Sequence, residues 1–171
     1  ETRQRVVAFA KELQRLQAVR ALPAGYIDRP RSASVLRTLH VIQLPAADLT
    51  ADRIRLNRYS HLADREIFSF LQPNERSGLW RNVSPLNDAY AELGQEIYFF
   101  YLNVAPPGRA RPNVVRVEVP AWLAMDSDRL DGLQQSIYHD AQETPGYPYV
   151  LIRAHEIAIV TREEQRTFEE M

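Results

Sequence analysis

Two segments near the middle of the chain constrain its fold more than any other. Glu96 to Val104 places four aromatic side chains in succession, Tyr98, Phe99, Phe100 and Tyr101, between Ile97 and Leu102. Such density of aromatic and branched residues reads as a mostly buried strand. Asn113 to Pro120 alternates instead, with Val115, Val117 and Val119 at one parity and Arg116 and Glu118 at the other. That period of two is the signature of a second strand. Pro106-Pro107-Gly108 supplies a turn between them, so an antiparallel pair is expected.

Helical periodicity dominates elsewhere. From Thr2 to about Ala21, the residues Val6, Phe9, Ala10, Leu13, Leu16 and Val19 form one apolar stripe. A break at Leu22-Pro23 leads into a short strand ending at Ile27 and a turn at Asp28 to Ser32, after which Ser32 or Ser34 can cap a helix through Val35, Leu36, Leu39 and Ile42. Short helices are expected over Asp48 to Leu56 and Asp64 to Leu71, followed by a polar loop at Pro73 to Gly78. Ser127 or Asp128 is expected to cap a helix through Leu130, Leu133, Ile137 and Tyr138 that stops near Gly146. Thr161-Arg162-Glu163-Glu164 has the form of a capping box opening a last helix, with Phe168 and Met171 inward. The fold class is α/β, with helices packed on a small mixed or antiparallel sheet. The strands are too few for a large sheet, and the chain opens on Glu1 rather than Met, so residues 1–171 are expected to be part of a larger domain.

The most apolar run, Gly146 to Val160, contains His155. Pro148 suits a first helical position, and Val150, Ala154, Ile157 and Ala158 recur at helical spacing; the β-branched Ile157 to Val160 leaves a strand as the alternative. Such a run reads as a buried element, in which an imidazole needs a partner. His155 is then either a hydrogen-bonded structural histidine or a catalytic or metal-binding one. Tyr147 lies eight residues earlier, and phenol and imidazole together suit phosphate contact and acid/base work.

Several chemistries are excluded by composition. Without Cys there are no disulfides, thiolate nucleophiles or Cys-based zinc sites, so any metal falls to carboxylates, imidazole, carbonyls or water, which favours Mg²⁺ or Mn²⁺. Glycine-rich phosphate loops and a Gly-x-Ser-x-Gly elbow are missing, and Ile159 stands where a zinc-protease motif opening at His155-Glu156 would need a second His. With no long apolar span and no signal-like start, a cytoplasmic protein away from membranes is the expectation. Net charge is −1, yet residues 1–40 hold eight basic against three acidic side chains, a local +5. All basic residues except Lys11 are Arg, which suits either bidentate phosphate contacts or the solvated face of an amphipathic helix.

Five segments together resemble one family. Tyr147 to Ala158 (Tyr-Pro-Tyr-Val-Leu-Ile-Arg-Ala-His-Glu-Ile-Ala) is similar to the C-terminal signature of the NurA nucleases. Gly25 to Ser32 resembles their glycine, arginine and proline segment, and Asn74-Glu75-Arg76-Ser77 their Gly-Glu-Arg-Ser loop with Asn in place of Gly. Tyr98 to Leu102 and Arg116 to Pro120 resemble their paired strands, and all five occur in the family's order.

The resemblance implies a manganese-dependent (or magnesium-dependent) DNA nuclease with an RNase H-like core. Such enzymes act in end resection for double-strand-break repair, as a homodimer docked on the hexameric HerA translocase. By position, His155 would be catalytic or metal-proximal and Tyr147 its active-site companion. Arg29, Arg31, Arg76 and Arg153 are the candidate DNA contacts. The family's acidic metal ligands belong to an N-terminal half with no counterpart here, so the chain looks like a C-terminal half and is expected to be inactive alone. Two other readings stand beside it. One is a non-catalytic DNA- or partner-binding module that adds Arg3 and Arg15 to the same arginines; the other is a scaffold whose apolar helix faces pair with another subunit.

Overall fold

A four-stranded antiparallel sheet frames the computed structural model, which describes residues 2–50, 52, 59, 61–144 and 146–158. In chain order the elements are α1 (Thr2–Ala18), β1 (Gly25–Ile27), α2 (Ser34–Gln43), a 3₁₀ turn at Ala46–Asp48, α3 (Asp64–Ile67), β2 (Trp80–Arg81) and α4 (Pro85–Ala91). There follow β3 (Ile97–Asn103), β4 (Val114–Pro120), α5 (Ala121–Ala124), α6 (Ser127–Glu143) and α7 (Tyr149–Ala158).

The expected central pair forms along its whole length, from Ile97 opposite Pro120 to Asn103 opposite Val114. β1 adds to β4 and β2 to β3, giving the order β1-β4-β3-β2. This register decides what each face buries. Phe100, Leu102, Val104, Val115, Val117 and Val119 form one core with Leu123 of α5 and Leu130, Leu133 and Ala141 of α6. Phe99, Tyr101 and Val114 form a second core with Val35 of α2, Phe68 and Leu71. Each fully buried side chain of this size contributes about 1.5–3 kcal/mol.

The parity that carries Arg116 and Glu118 is therefore covered too. Arg116 is only 6% exposed, its guanidinium 3.7 Å from the centre of the Phe99 ring, and it donates to Glu118 at 2.5 Å. Stacking and pairing offset the cost of burying the charge.

Caps differ from those expected. Ser32 Oγ accepts only from the Ser34 N–H, at 3.2 Å; the next two amides of α2 go to the carboxylate of Asp64, fully buried, which accepts from Val35 N–H at 3.1 Å and Leu36 N–H at 2.9 Å. Tyr101 O–H donates to the same carboxylate at 2.8 Å. Asp126, not Ser127 or Asp128, caps α6 by accepting from Arg129 N–H at 3.2 Å. The first helix stops at Ala18 rather than Ala21 because Arg20 turns left-handed (φ 55°), and Ala21 N–H bonds back to Leu16 O at 2.9 Å. That pattern closes a helix end by satisfying its last carbonyls.

The helix expected over Asp64 to Leu71 is a single turn, after which the chain continues in three-residue turns, Ser69 N–H bonding to Glu66 O at 3.3 Å and Leu71 N–H to Phe68 O at 3.2 Å. The 3₁₀ turn ends where the Asp48 to Leu56 helix was expected to start, and residues 53–58 lie outside the described residues, as do the capping box at Thr161 and the inward Phe168 and Met171. Three elements had no expectation: β2, α4 and α5. Ser84-Pro85 could have signalled α4, since Ser84 Oγ accepts from Asn87 N–H at 3.1 Å with proline in the first turn.

The largest correction concerns the apolar run. It is helical, but no residue of α7 is buried: Val150 is 61% and Ile157 77% exposed, and His155 is exposed. Helical spacing spreads its apolar side chains around the cylinder, and the helix rests mainly on α6, with Leu151 and Ile152 half-buried. Pro148 sits one position earlier than expected, its carbonyl accepting from Leu151 N–H at 3.1 Å. Asp140 of α6 accepts from Val150 N–H at 3.3 Å and so serves the helix start.

Candidate functional site

Asn103, the last residue of β3, organises the end of the sheet where the site lies. Its buried side chain donates to Leu71 O at 2.8 Å and accepts from the N–H groups of Ala105 and Asn113, both at 3.0 Å. Those bonds fix both feet of the β3–β4 connection. Asn113 then reaches across and donates through Nδ2 to the carbonyl of Gly146, in the link between α6 and α7. Gly146 has φ 78°, which favours glycine, and a Cβ there would crowd Asn113 Nδ2 at 3.0 Å.

Tyr147 follows directly. Its carbonyl accepts from Thr144 Oγ1, and its ring meets Tyr26 of β1 edge-on, centroids 5.7 Å apart. A pocket of about 220 Å³ opens beside it. Tyr147, Asn113 and Gly146 form one wall, Asp28 and Arg29 after β1 another, and Arg109, Arg111 and Pro112 of the β3–β4 connection the third. Three guanidinium groups face one carboxylate, a formal charge of +2. Arg29 Nε lies 3.5 Å from Asp28, whereas Arg109 and Arg111 make no ion pair among the described residues. Such a concavity suits a small anion, and phosphate above all.

Of the side chains singled out in the sequence, Tyr147 and Arg29 thus come together. His155 does not line this pocket. The helix begins at Tyr149, and six residues at 1.5 Å each carry His155 roughly 9 Å along the axis. Arg153 is exposed on the same helix and paired with Glu156. Arg31 is exposed and outside the pocket lining. Arg76 is committed elsewhere: it donates to Asp131 at 2.7 Å and to Gln134, tying the loop before β2 to α6. Arg109 and Arg111 escaped notice in the sequence, although Pro-Pro-Gly-Arg-Ala-Arg-Pro places two cations between rigid turn residues.

Among the described residues no group of three or more His, Asp and Glu side chains is arranged to hold a metal ion. Divalent cations of the Mg²⁺ or Mn²⁺ type take mostly oxygen ligands in numbers a lone His155 cannot supply. The described residues therefore do not fit a metal centre. Nor is any helix among them long and apolar enough to cross a membrane.

Burial pushes the Tyr26 phenol well above its ordinary range, with the Asp28 carboxylate and Tyr147 adding to the shift. Burial does the same for Tyr101, reinforced by its hydrogen bond to Asp64. Both phenols keep their proton in the folded chain where unfolded tyrosines ionise, near pH 10. Folding stability is therefore full below about pH 10 and falls above it, by up to about 1.4 kcal/mol per pH unit for each such phenol. Denaturant midpoints measured from pH 8 to 11.5 should show this fall, and Tyr101→Phe should make it shallower while leaving the Tyr26 contribution. A flat profile above pH 10 would show that these phenols ionise freely in the fold.

A family model described as the NurA domain matches residues 9–160. No curated protein and no solved structure matches the chain.

Proposed function

The chain belongs to the NurA family, a nuclease family, and from that premise we propose that it supplies part of the active site of a DNA nuclease acting in end resection for double-strand-break repair. One observation carries the reading: Tyr147, the position the family resemblance assigns to the active site, stands in the wall of a pocket whose charge is net positive. A phenolic O–H at that wall donates to a phosphate oxygen, and the guanidinium groups offset the phosphodiester charge. His155 is the second active-site side chain in this reading, and Arg29 a DNA contact beside Tyr147. Arg31 and Arg153 are outlying contacts, and Arg76 becomes one only if it leaves its partners on α6. An RNase H-like core is the fold proposed for the whole domain.

The metal is Mn²⁺ (or Mg²⁺), with its main carboxylate ligands outside the described residues; it would supply charge neutralisation and an activated water. The described residues contribute binding and orientation. The 171-residue chain alone then has no appreciable nuclease activity. Homodimerisation, docking on a hexameric HerA translocase and a cytoplasmic location belong to the same proposal. Val150 and Ile157, large apolar side chains left exposed on α7, support a covering protein surface.

The test is a cleavage assay on the purified full-length protein with linear and single-stranded DNA. Cleavage with Mn²⁺ or Mg²⁺ that stops on chelation is expected. Absence of cleavage with either metal would overturn the nuclease reading, and strong Mn²⁺-dependent cleavage by the 171-residue chain alone would overturn its dependence on outside carboxylates. The exposure of His155 away from the pocket favours one alternative, a non-catalytic DNA- or partner-binding module.

A further inference from the structure

We propose that Arg109 and Arg111, on the β3–β4 connection, form a preorganised seat for a backbone phosphate of single-stranded DNA next to Tyr147. The inference rests on the nuclease reading above and adds two positioning residues to it.

Three features support the seat. The first is rigidity. Arg109 N–H bonds to Pro106 O at 3.2 Å, closing a turn with Pro107 and Gly108 at its centre, and Gly108 has φ 79°. Proline followed by glycine at positive φ is the type II arrangement, in which both central residues have the backbone they prefer. Arg111 precedes Pro112, which holds it extended. The second is availability, because neither guanidinium is spent on a carboxylate among the described residues; the one acidic group in the pocket, Asp28, faces Arg29.

The third is size. A volume of about 220 Å³ falls below the range of roughly 300–1,000 Å³ that encloses drug-sized ligands. A phosphodiester group fits there with its base outside. Two arginines presented from a stiff turn lose less freedom on binding than two from a mobile loop, which favours positioning of the strand over diffuse attraction.

The experiment measures binding of a fluorescent single-stranded DNA oligomer to the full-length protein across a salt series, with chelator present so that binding is separated from cleavage. The double variant Arg109→Ala/Arg111→Ala is compared with wild type and with Arg65→Ala, an exposed arginine distant in sequence and paired with Glu66. Loss of two phosphate contacts lowers the slope of log K against log salt by about 1.4 and weakens binding about tenfold at low salt. Arg65→Ala should leave the slope unchanged. An unchanged slope in the double variant, or an equal loss in both variants, overturns the seat. So does competition by millimolar inorganic phosphate with no change in DNA slope, which would mark a small-anion pocket.

The two proposals fail separately. A protein that cuts DNA but whose binding ignores both arginines loses the seat and keeps the nuclease reading. A protein that never cuts but shows the slope change keeps the seat and loses the nuclease reading. Both arginines are exposed, so an unchanged thermal midpoint is expected and certifies the fold of the variant.

Discussion

Asp64→Ala should destabilise the chain by about 3–5 kcal/mol, because it strands several buried donors at once. The carboxylate is fully buried and accepts from two amides at the start of α2 and from the hydroxyl of Tyr101 on β3, while its own N–H bonds to Ser32 O at 2.7 Å. One side chain therefore joins the segment after the 3₁₀ turn to a helix and to the central sheet. Each donor left unsatisfied costs about 1–3 kcal/mol, and alanine supplies no acceptor. Tyr101→Phe removes only the third bond and should cost about 1 kcal/mol. Urea denaturation of the three proteins decides the matter. If Asp64→Ala costs less than the tyrosine substitution, something other than this carboxylate holds α2 on the sheet.

The second large effect is on activity. In the full-length protein, His155→Ala should lower the rate of DNA cleavage by roughly 10²–10⁴ if the imidazole takes part in proton transfer. The exposure of α7 makes this a clean test, since no side chain of that helix is buried among the described residues and the substitution leaves no cavity. An unchanged thermal midpoint should accompany the loss. Tyr147→Phe keeps the ring against Tyr26 and removes only the hydroxyl, so a smaller fall, about tenfold or more, is expected with folding intact. Near wild-type cleavage by His155→Ala would make the imidazole a bystander and move weight to the non-catalytic binding module.

The central pair of the sheet was legible from sequence because its information is local. Aromatic density in Glu96 to Val104 and strict alternation from Val115 to Val119 each specify a strand, and the Pro107-Gly108 turn joins them. What could not be read depends on contacts distant in sequence. That Arg116 is buried follows from α2 covering its face, and α2 is held there by a carboxylate 28 and 29 residues further on. The same limit explains the apolar run at the C-terminal end. Its spacing favoured a helix, but burial needs a complementary surface, and neither spacing nor composition can say where that surface is. Part of the candidate site was visible: Tyr147 and Arg29 were found, whereas Arg109 and Arg111, just past the Pro106-Pro107-Gly108 turn, went unremarked. Their significance comes from the Asn103 and Asn113 bonds that bring the turn to Gly146, and no spacing rule reports those.

The outer strands of the sheet are short, three residues in β1 and two in β2 against seven in each central strand. Beyond β2, the flank of β3 is occupied by the loop at Asn74 to Ser77: Asn103 N–H bonds to Glu75 O at 3.1 Å, and Ser77 N–H to Tyr101 O at 2.8 Å. Few backbone groups are left to template another strand, which is how natural sheets guard against edge-to-edge aggregation. A chain that carries exposed apolar helices therefore directs its stickiness to those helices. What the described fold leaves exposed is thus apolar side chains rather than a long row of unpaired strand backbone.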